Sequence, residues 1–108
     1  MNDTLEKLYK VIADRKDHPQ EGSYTGYLFE KGLDKILKKV GEECSETIIA
    51  AKNGDKSEMV FEMSDLIYHL TVLMVQQGID IAEVMAELDS RSAKTGNLKI
   101  TKIVDKNT

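Results

Sequence analysis

Two short acidic runs, Glu42-Glu43-Cys44-Ser45-Glu46 and Glu62-Met63-Ser64-Asp65, hold the residues of this chain best suited to chemistry. Both lie where apolar residues recur at helical spacing. Glu43 and Glu46 therefore sit one turn apart on one helix face, and so do Glu62 and Asp65. A carboxylate held near an apolar stripe is costly without compensating positive charge. A divalent cation compensates several carboxylates at once, and oxygen donors that leave positions for water and phosphate suit Mg2+. For a single pair, a solvated helix face explains the charges better than a metal; two pairs facing each other favour the metal. His69 falls on the flank of Glu62 and Asp65, where the open readings are ligand, acid or base, orienting group or packing. No Walker-type phosphate loop and no Ser-His-Asp or Cys-His arrangement is evident.

The elements that must position these residues follow from periodicity. Residues 2–16 carry Leu5, Leu8, Tyr9, Ile12 and Ala13 at helical intervals, with Asn2, Asp3 or Thr4 as the N-cap. From about Lys16 to Glu30 the period lapses, and Pro19, Gly22 and Gly26 mark a loop. That loop, with its run Ser23-Tyr24-Thr25, reads either as a functional segment or as a mobile connector. The period returns at Gly32 and stops at Asn53-Gly54, a helix C-cap signature. On a helical wheel this second helix has its core stripe at Leu33, Val40, Cys44 and Ala51. Glu43 and Glu46 lie to one side of it with Lys39 between them, while Glu42 lies nearly opposite, beside Lys35 and Lys38.

A third helix, from about Asp55 to Gln77, has its core stripe at Met63, Leu66, Leu70 and Met74. A second apolar strip, Phe61, Tyr68, Val72 and Val75, runs almost opposite, so this helix is expected to be buried on two sides. A subunit interface is the favoured cover for that strip, and an inner position within one chain is the alternative. The Asn53-Gly54 turn makes the second and third helices an antiparallel hairpin, with their acidic pairs at similar distances from the turn, so that the pairs converge. A fourth helix starts near Asp80 with Ile81, Val84, Met85 and Leu88 on one side. The expectation is an all-α, four-helix bundle over residues 1–92, completed by dimerisation, followed by a Lys-rich tail at 93–108 with Leu98, Ile100, Ile103 and Val104 as its apolar residues.

Composition narrows the classes of function. A chain of 108 residues supports one core, and 41% hydrophobic with 31% charged residues describes a globular protein, not a disordered one. A formal charge of −4 offers no attraction to nucleic acid or to anionic membranes. Apolar runs are too short to span a bilayer, the N-terminus lacks the order of a signal peptide, and a single cysteine suits a reducing cytoplasm.

With its spacing, the acidic pattern (Glu-Glu-x-x-Glu, then Glu-x-x-Asp) resembles that of the all-α, MazG-like nucleotide pyrophosphatases. Three stretches bring the resemblance closer to the stand-alone phosphoribosyl-ATP pyrophosphatases of histidine biosynthesis: Ser23-Tyr24-Thr25 with Leu28-Phe29, the run from Gly32 to Glu43, and Asp65-Leu66-Ile67-Tyr68-His69-Leu70. The resemblance covers about Arg15 to Arg91. It implies Mg2+-dependent hydrolysis of phosphoribosyl-ATP to phosphoribosyl-AMP and pyrophosphate. It further implies Glu43, Glu46, Glu62 and Asp65 as metal ligands, and catalytic work at Glu42, Glu43 and Glu46, with Glu42 supporting the site or positioning water. Lys35, Lys38 and Lys39 become candidates for phosphate, and Ser23, Tyr24 and Thr25 for the substrate pocket. Cys44 departs from the small residue usual there. Direct attack by water suits these residues better than a covalent intermediate. The competing readings are a house-cleaning nucleoside triphosphate pyrophosphatase of the same superfamily and a non-catalytic helical dimerisation module.

Overall fold

The structure, a computed structural model, describes residues 3–93. Among them are five helices and no strand: α1 (Thr4–Asp17), α2 (Tyr24–Lys31), α3 (Leu33–Asn53), α4 (Lys56–Gln76) and α5 (Ile81–Ser92). The all-α expectation holds, and four of the helices fall where periodicity put them. The fifth, α2, lies inside the stretch read as a loop. At eight residues it is too short to display a period, and Gly26 in its interior disguises it further. Local capping and tertiary burial build it instead. Ser23 Oγ accepts the Gly26 N–H at 3.1 Å, and Leu28 is 0% exposed.

The α3–α4 hairpin is the most extensive packing unit, and the short turn between its helices makes them antiparallel neighbours. Gly54 closes α3 with φ +68°, a left-handed conformation that an L side chain would strain. Asp55 then caps α4 by accepting the Glu58 N–H at 3.0 Å. A single residue, Gly32 at φ +93°, joins α2 to α3. α1 lies against α2 and α4, and α5 lies against α1. Asp80 and Glu83 form a capping box at the start of α5. The shared core is Ile12, Leu28, Ile36, Val72 and Val75, flanked by Leu8, Tyr9, Ala13, Phe29, Tyr68 and Leu73.

Two wheel assignments are corrected. On α3 the buried line is Ile36, Glu43 and Ala50, every seventh residue, whereas Leu33 and Val40 are half-buried and Cys44 and Ala51 are exposed. Cys44 is therefore not a packed thiol. On α4 the buried line runs through Glu62, His69, Val72 and Val75, while Met63 of the expected core stripe is exposed. Both helices are rotated so that their carboxylate flanks face each other. Hydropathy alone turns the larger aliphatic residues inward; here the core of Ile12, Leu28, Ile36, Val72 and Val75 sets the inward side, and Leu37, Ile48, Ile49, Val60, Phe61 and Met63 are left exposed. The strip assigned to a subunit interface is also corrected. Tyr68, Val72 and Val75 pack in the chain's own core, and only Phe61 of the four is exposed. The expected tail residues Leu98, Ile100, Ile103 and Val104 lie outside the described residues.

Candidate active site

α3 and α4 together present the acidic pairs at one place. Glu43 on α3 stands at the centre, 3% exposed, with Glu46 one turn further along. Glu62 and Asp65 face it from α4. Glu43, Glu46 and Glu62 offer oxygens within 4.8 Å of one another, and Glu43, Asp65 and His69 do so as a second group sharing Glu43. All four carboxylates singled out in the sequence are thus brought together.

Burial raises the Glu43 carboxyl from its ordinary 4.5 to about 7, reinforced by the carboxyl groups of Asp65 and Glu46 and opposed by Lys39. Glu62 is raised for the same first reason, with Glu46 adding to it. Glu43 Oε2 and Glu62 Oε1 are buried and have no hydrogen-bond partner among the protein atoms. Orphaned buried carboxylate oxygens beside other carboxylates are unfavourable for the protein alone. They are the donor set a hard divalent cation would take, so the residues fit such an ion.

The folded chain binds the Glu43 proton more tightly than the unfolded chain does. The stability that this proton confers is complete below about pH 4.5 and is lost as pH rises through about 7. In chelator, denaturant unfolding should therefore show the protein less stable at pH 8 than at pH 5, with Glu43 contributing about 2 kcal/mol of the difference. Stability that rises with pH across this window would contradict the assignment.

The lysines separate. Lys39 Nζ lies 3.2 Å from Glu42 Oε1 and 3.7 Å from Glu43 Oε1, at the edge of the acidic centre. Burial lowers the Lys39 ammonium, but its bond to Glu42 and the nearby Tyr24, Glu42 and Glu43 outweigh that and raise it. Lys35 instead reaches α2, with Nζ 5.8 Å from the Tyr27 ring centroid, and Lys38 is exposed. Glu42 is exposed too and is held by Lys39 outside the four-carboxylate centre. Its hydrogen bond to Lys39 lowers its pKa, with burial opposing and Lys38 and Lys35 assisting.

The Ser23-Tyr24-Thr25 run occupies the start of α2 beside this centre. Ser23 spends its hydroxyl on the cap. Tyr24 Oη lies 2.9 Å from His69 Nε2, and Thr25 Oγ1 contacts the Tyr68 hydroxyl. Tyr24 stacks between Tyr27 and Tyr68, each at 6.2 Å between centroids and 25° between planes. Lys31 Nζ also stands 5.9 Å from the Tyr27 centroid. Sequence reasoning placed Tyr68 on the strip given to a subunit interface, and it assigned no role to Tyr27 or Lys31. Once α2 is known to be a helix, their signal is the i, i+3, i+7 spacing of Tyr24, Tyr27 and Lys31.

Comparison with known proteins agrees with this arrangement. The family model described as phosphoribosyl-ATP pyrophosphohydrolase matches residues 5–92, all but one of the described helical residues. The chain is 57% identical over 98 residues to the phosphoribosyl-ATP pyrophosphatase of Clostridium botulinum, covering 91% of this chain and 89% of that one. To the phosphoribosyl-ATP pyrophosphatase of Streptococcus thermophilus it is 55% identical over 94 residues, or 87% of this chain and 90% of the relative. The histidine biosynthesis bifunctional protein HisIE of Thermoanaerobacter pseudethanolicus is 66% identical over 83 residues, 77% of this chain but only 38% of that longer protein. With an acidic centre on a helical hairpin, and with the match spanning every helix, the chain belongs to the phosphoribosyl-ATP pyrophosphohydrolase family.

Proposed function

We propose that this chain hydrolyses phosphoribosyl-ATP to phosphoribosyl-AMP and pyrophosphate in histidine biosynthesis, with Mg2+ held by Glu43, Glu46, Glu62 and Asp65. The observation that carries the metal reading is the pair of orphaned buried oxygens, Glu43 Oε2 and Glu62 Oε1, within the converging carboxylates. Held by these carboxylates, Mg2+ would supply charge neutralisation to the polyphosphate and acidity to the attacking water. The chain's own residues do the rest. Glu43 and Glu46 bring carboxylates to the reacting centre, and a carboxylate raised towards neutrality such as Glu43 is suited to exchange a proton with water. Lys39, on the rim, is placed to offset phosphate charge, and Glu42 holds it there. Lys35 and Lys31, beside Tyr27, place positive charge further along α2 and α3. Tyr24 and Tyr27, 45% and 40% exposed, provide aromatic surface for a purine.

Purified protein given phosphoribosyl-ATP and Mg2+ should release pyrophosphate, and chelator should stop it. Cleavage of ordinary nucleoside triphosphates with no action on phosphoribosyl-ATP would replace this reading with the house-cleaning one. Mg2+ should also raise the unfolding midpoint, by about 2.7 kcal/mol of stability at a hundredfold excess over its dissociation constant.

The functional unit we propose is a homodimer in the cytoplasm. Among the described residues no helix is long and apolar enough to cross a membrane. On α3 and α4, Ile48 and Phe61, each 64% exposed, and Leu37, Ile49, Val60 and Met63 are open to solvent. Large apolar side chains left exposed in this number support an interface with a second copy. Light scattering should read twice 12.1 kDa, and a monomer mass would remove the dimer from the proposal.

A further inference from the structure

His69 is 2% exposed and lies one helical turn beyond Asp65, yet the metal reading leaves it without work. Both of its ring nitrogens are engaged. Nδ1 stands 2.8 Å from the Asp65 main-chain oxygen, with Asp65 Oδ1 at 3.5 Å. A carbonyl oxygen only accepts, so Nδ1 carries the proton, and in the neutral ring Nε2 is left as an acceptor. The partner of Nε2 is Tyr24 Oη at 2.9 Å, whose O–H donates. A ring engaged at both nitrogens has no lone pair free for a cation. Although His69 lies within metal-ligating distance of Glu43 and Asp65, it is not a ligand in this arrangement.

The two ends of the imidazole join two different parts of the site. One is anchored on the α4 main chain at the residue bearing the acidic centre's Asp65. The other takes the first residue of α2, an eight-residue helix with one fully buried side chain, Leu28. Such a helix needs outside anchors to hold a fixed orientation. Thr25 meets Tyr68 beside it, and the Tyr24 and Tyr68 rings both meet the His69 ring edge-on, at 5.8 and 4.9 Å. We propose that His69 is a positioning residue: its Nε2 holds the Tyr24 hydroxyl and thereby sets the first turn of α2 against the acidic centre. This deepens the functional reading above and rests on it. Tyr24 is the group through which His69 acts on the substrate.

Three variants and one spectrum test the proposal. Tyr24→Phe removes the donor, His69→Leu removes the acceptor, and His69→Gln keeps an oxygen acceptor of similar reach. Loss of this part-buried hydrogen bond should raise KM for phosphoribosyl-ATP about tenfold in Tyr24→Phe and in His69→Leu, with kcat falling less than KM rises. The double variant His69→Leu/Tyr24→Phe should be no worse than either single one, because both break the same link. His69→Gln should recover most of the loss. Multiplicative losses in the double variant would overturn the proposal, and so would a glutamine variant as impaired as the leucine one. Weaker Mn2+ binding in His69→Leu but not in Tyr24→Phe would make His69 a ligand and also overturn it. The nitrogen-15 spectrum of the His69 ring needs no substrate: an Nδ1–H tautomer whose Nε2 shift moves in Tyr24→Phe is expected, and an Nε2–H tautomer refutes the link. Wild-type protein inactive on phosphoribosyl-ATP would fail the functional reading alone, because the spectrum still decides the His69–Tyr24 link.

Discussion

Glu43→Gln should lower kcat/KM on phosphoribosyl-ATP by about 10³-fold while making the metal-free protein more stable at pH 8, by about 2 kcal/mol. The two effects have one origin. Glu43 is buried with one oxygen unpartnered, and burial together with Asp65 and Glu46 opposes its ionisation. In the absence of a cation, its charge destabilises the fold. The neutral amide removes that charge and can donate to the carboxylates around it. The same substitution removes a ligand and the group closest to neutrality, so turnover falls as stability rises. At pH 5, where the wild-type carboxyl is protonated, the stabilities of variant and parent should converge. Denaturant unfolding at the two pH values, beside steady-state kinetics, reads both effects. A glutamate kept only for packing or solvation predicts otherwise: little loss of activity, and no pH-dependent gain in stability.

Leu28→Ala should destabilise the chain by about 3 kcal/mol, the range for a fully buried leucine truncated in a core that cannot collapse around the gap. Leu28 is the fully buried side chain of α2 and packs in the cluster with Ile12, Ile36 and Val72, with Phe29 against its edge. For a domain of this size, that cost shifts the thermal midpoint by more than about 10 °C. The site should respond unequally. The carboxylates sit on α3 and α4, so Mg2+-dependent stabilisation should persist. Tyr24 and Thr25 sit on α2, so KM should rise as that helix loosens. Equal loss of metal response and substrate affinity would mean that α2 and the hairpin are one cooperative unit.

How much of this was readable beforehand differs from residue to residue. The acidic pairs and their convergence were legible because i, i+3 spacing and a Gly54 turn are local facts, each set within a few residues. The α2 helix was hidden, because its stability comes from the Ser23 cap and from Leu28 meeting three other helices, and neither leaves a periodic trace in eight residues. Cys44 was placed inside and is outside, because a wheel weighted by hydropathy cannot foresee that Glu43 takes the inward position one residue earlier.

By itself, then, the chain's sequence determined an all-α domain, an antiparallel hairpin and four carboxylates on converging faces. Those follow from short-range periodicity and turn chemistry. Tertiary structure alone decided which side of α3 and α4 is the inside, that Glu43 is the buried centre of the cluster, and that His69 reaches across 45 residues to Tyr24. The rotation of a helix about its axis is a collective outcome. Here the Ile12–Leu28–Ile36–Val72 core fixes the inward side, and Ile48, Ile49 and Phe61 remain on the surface.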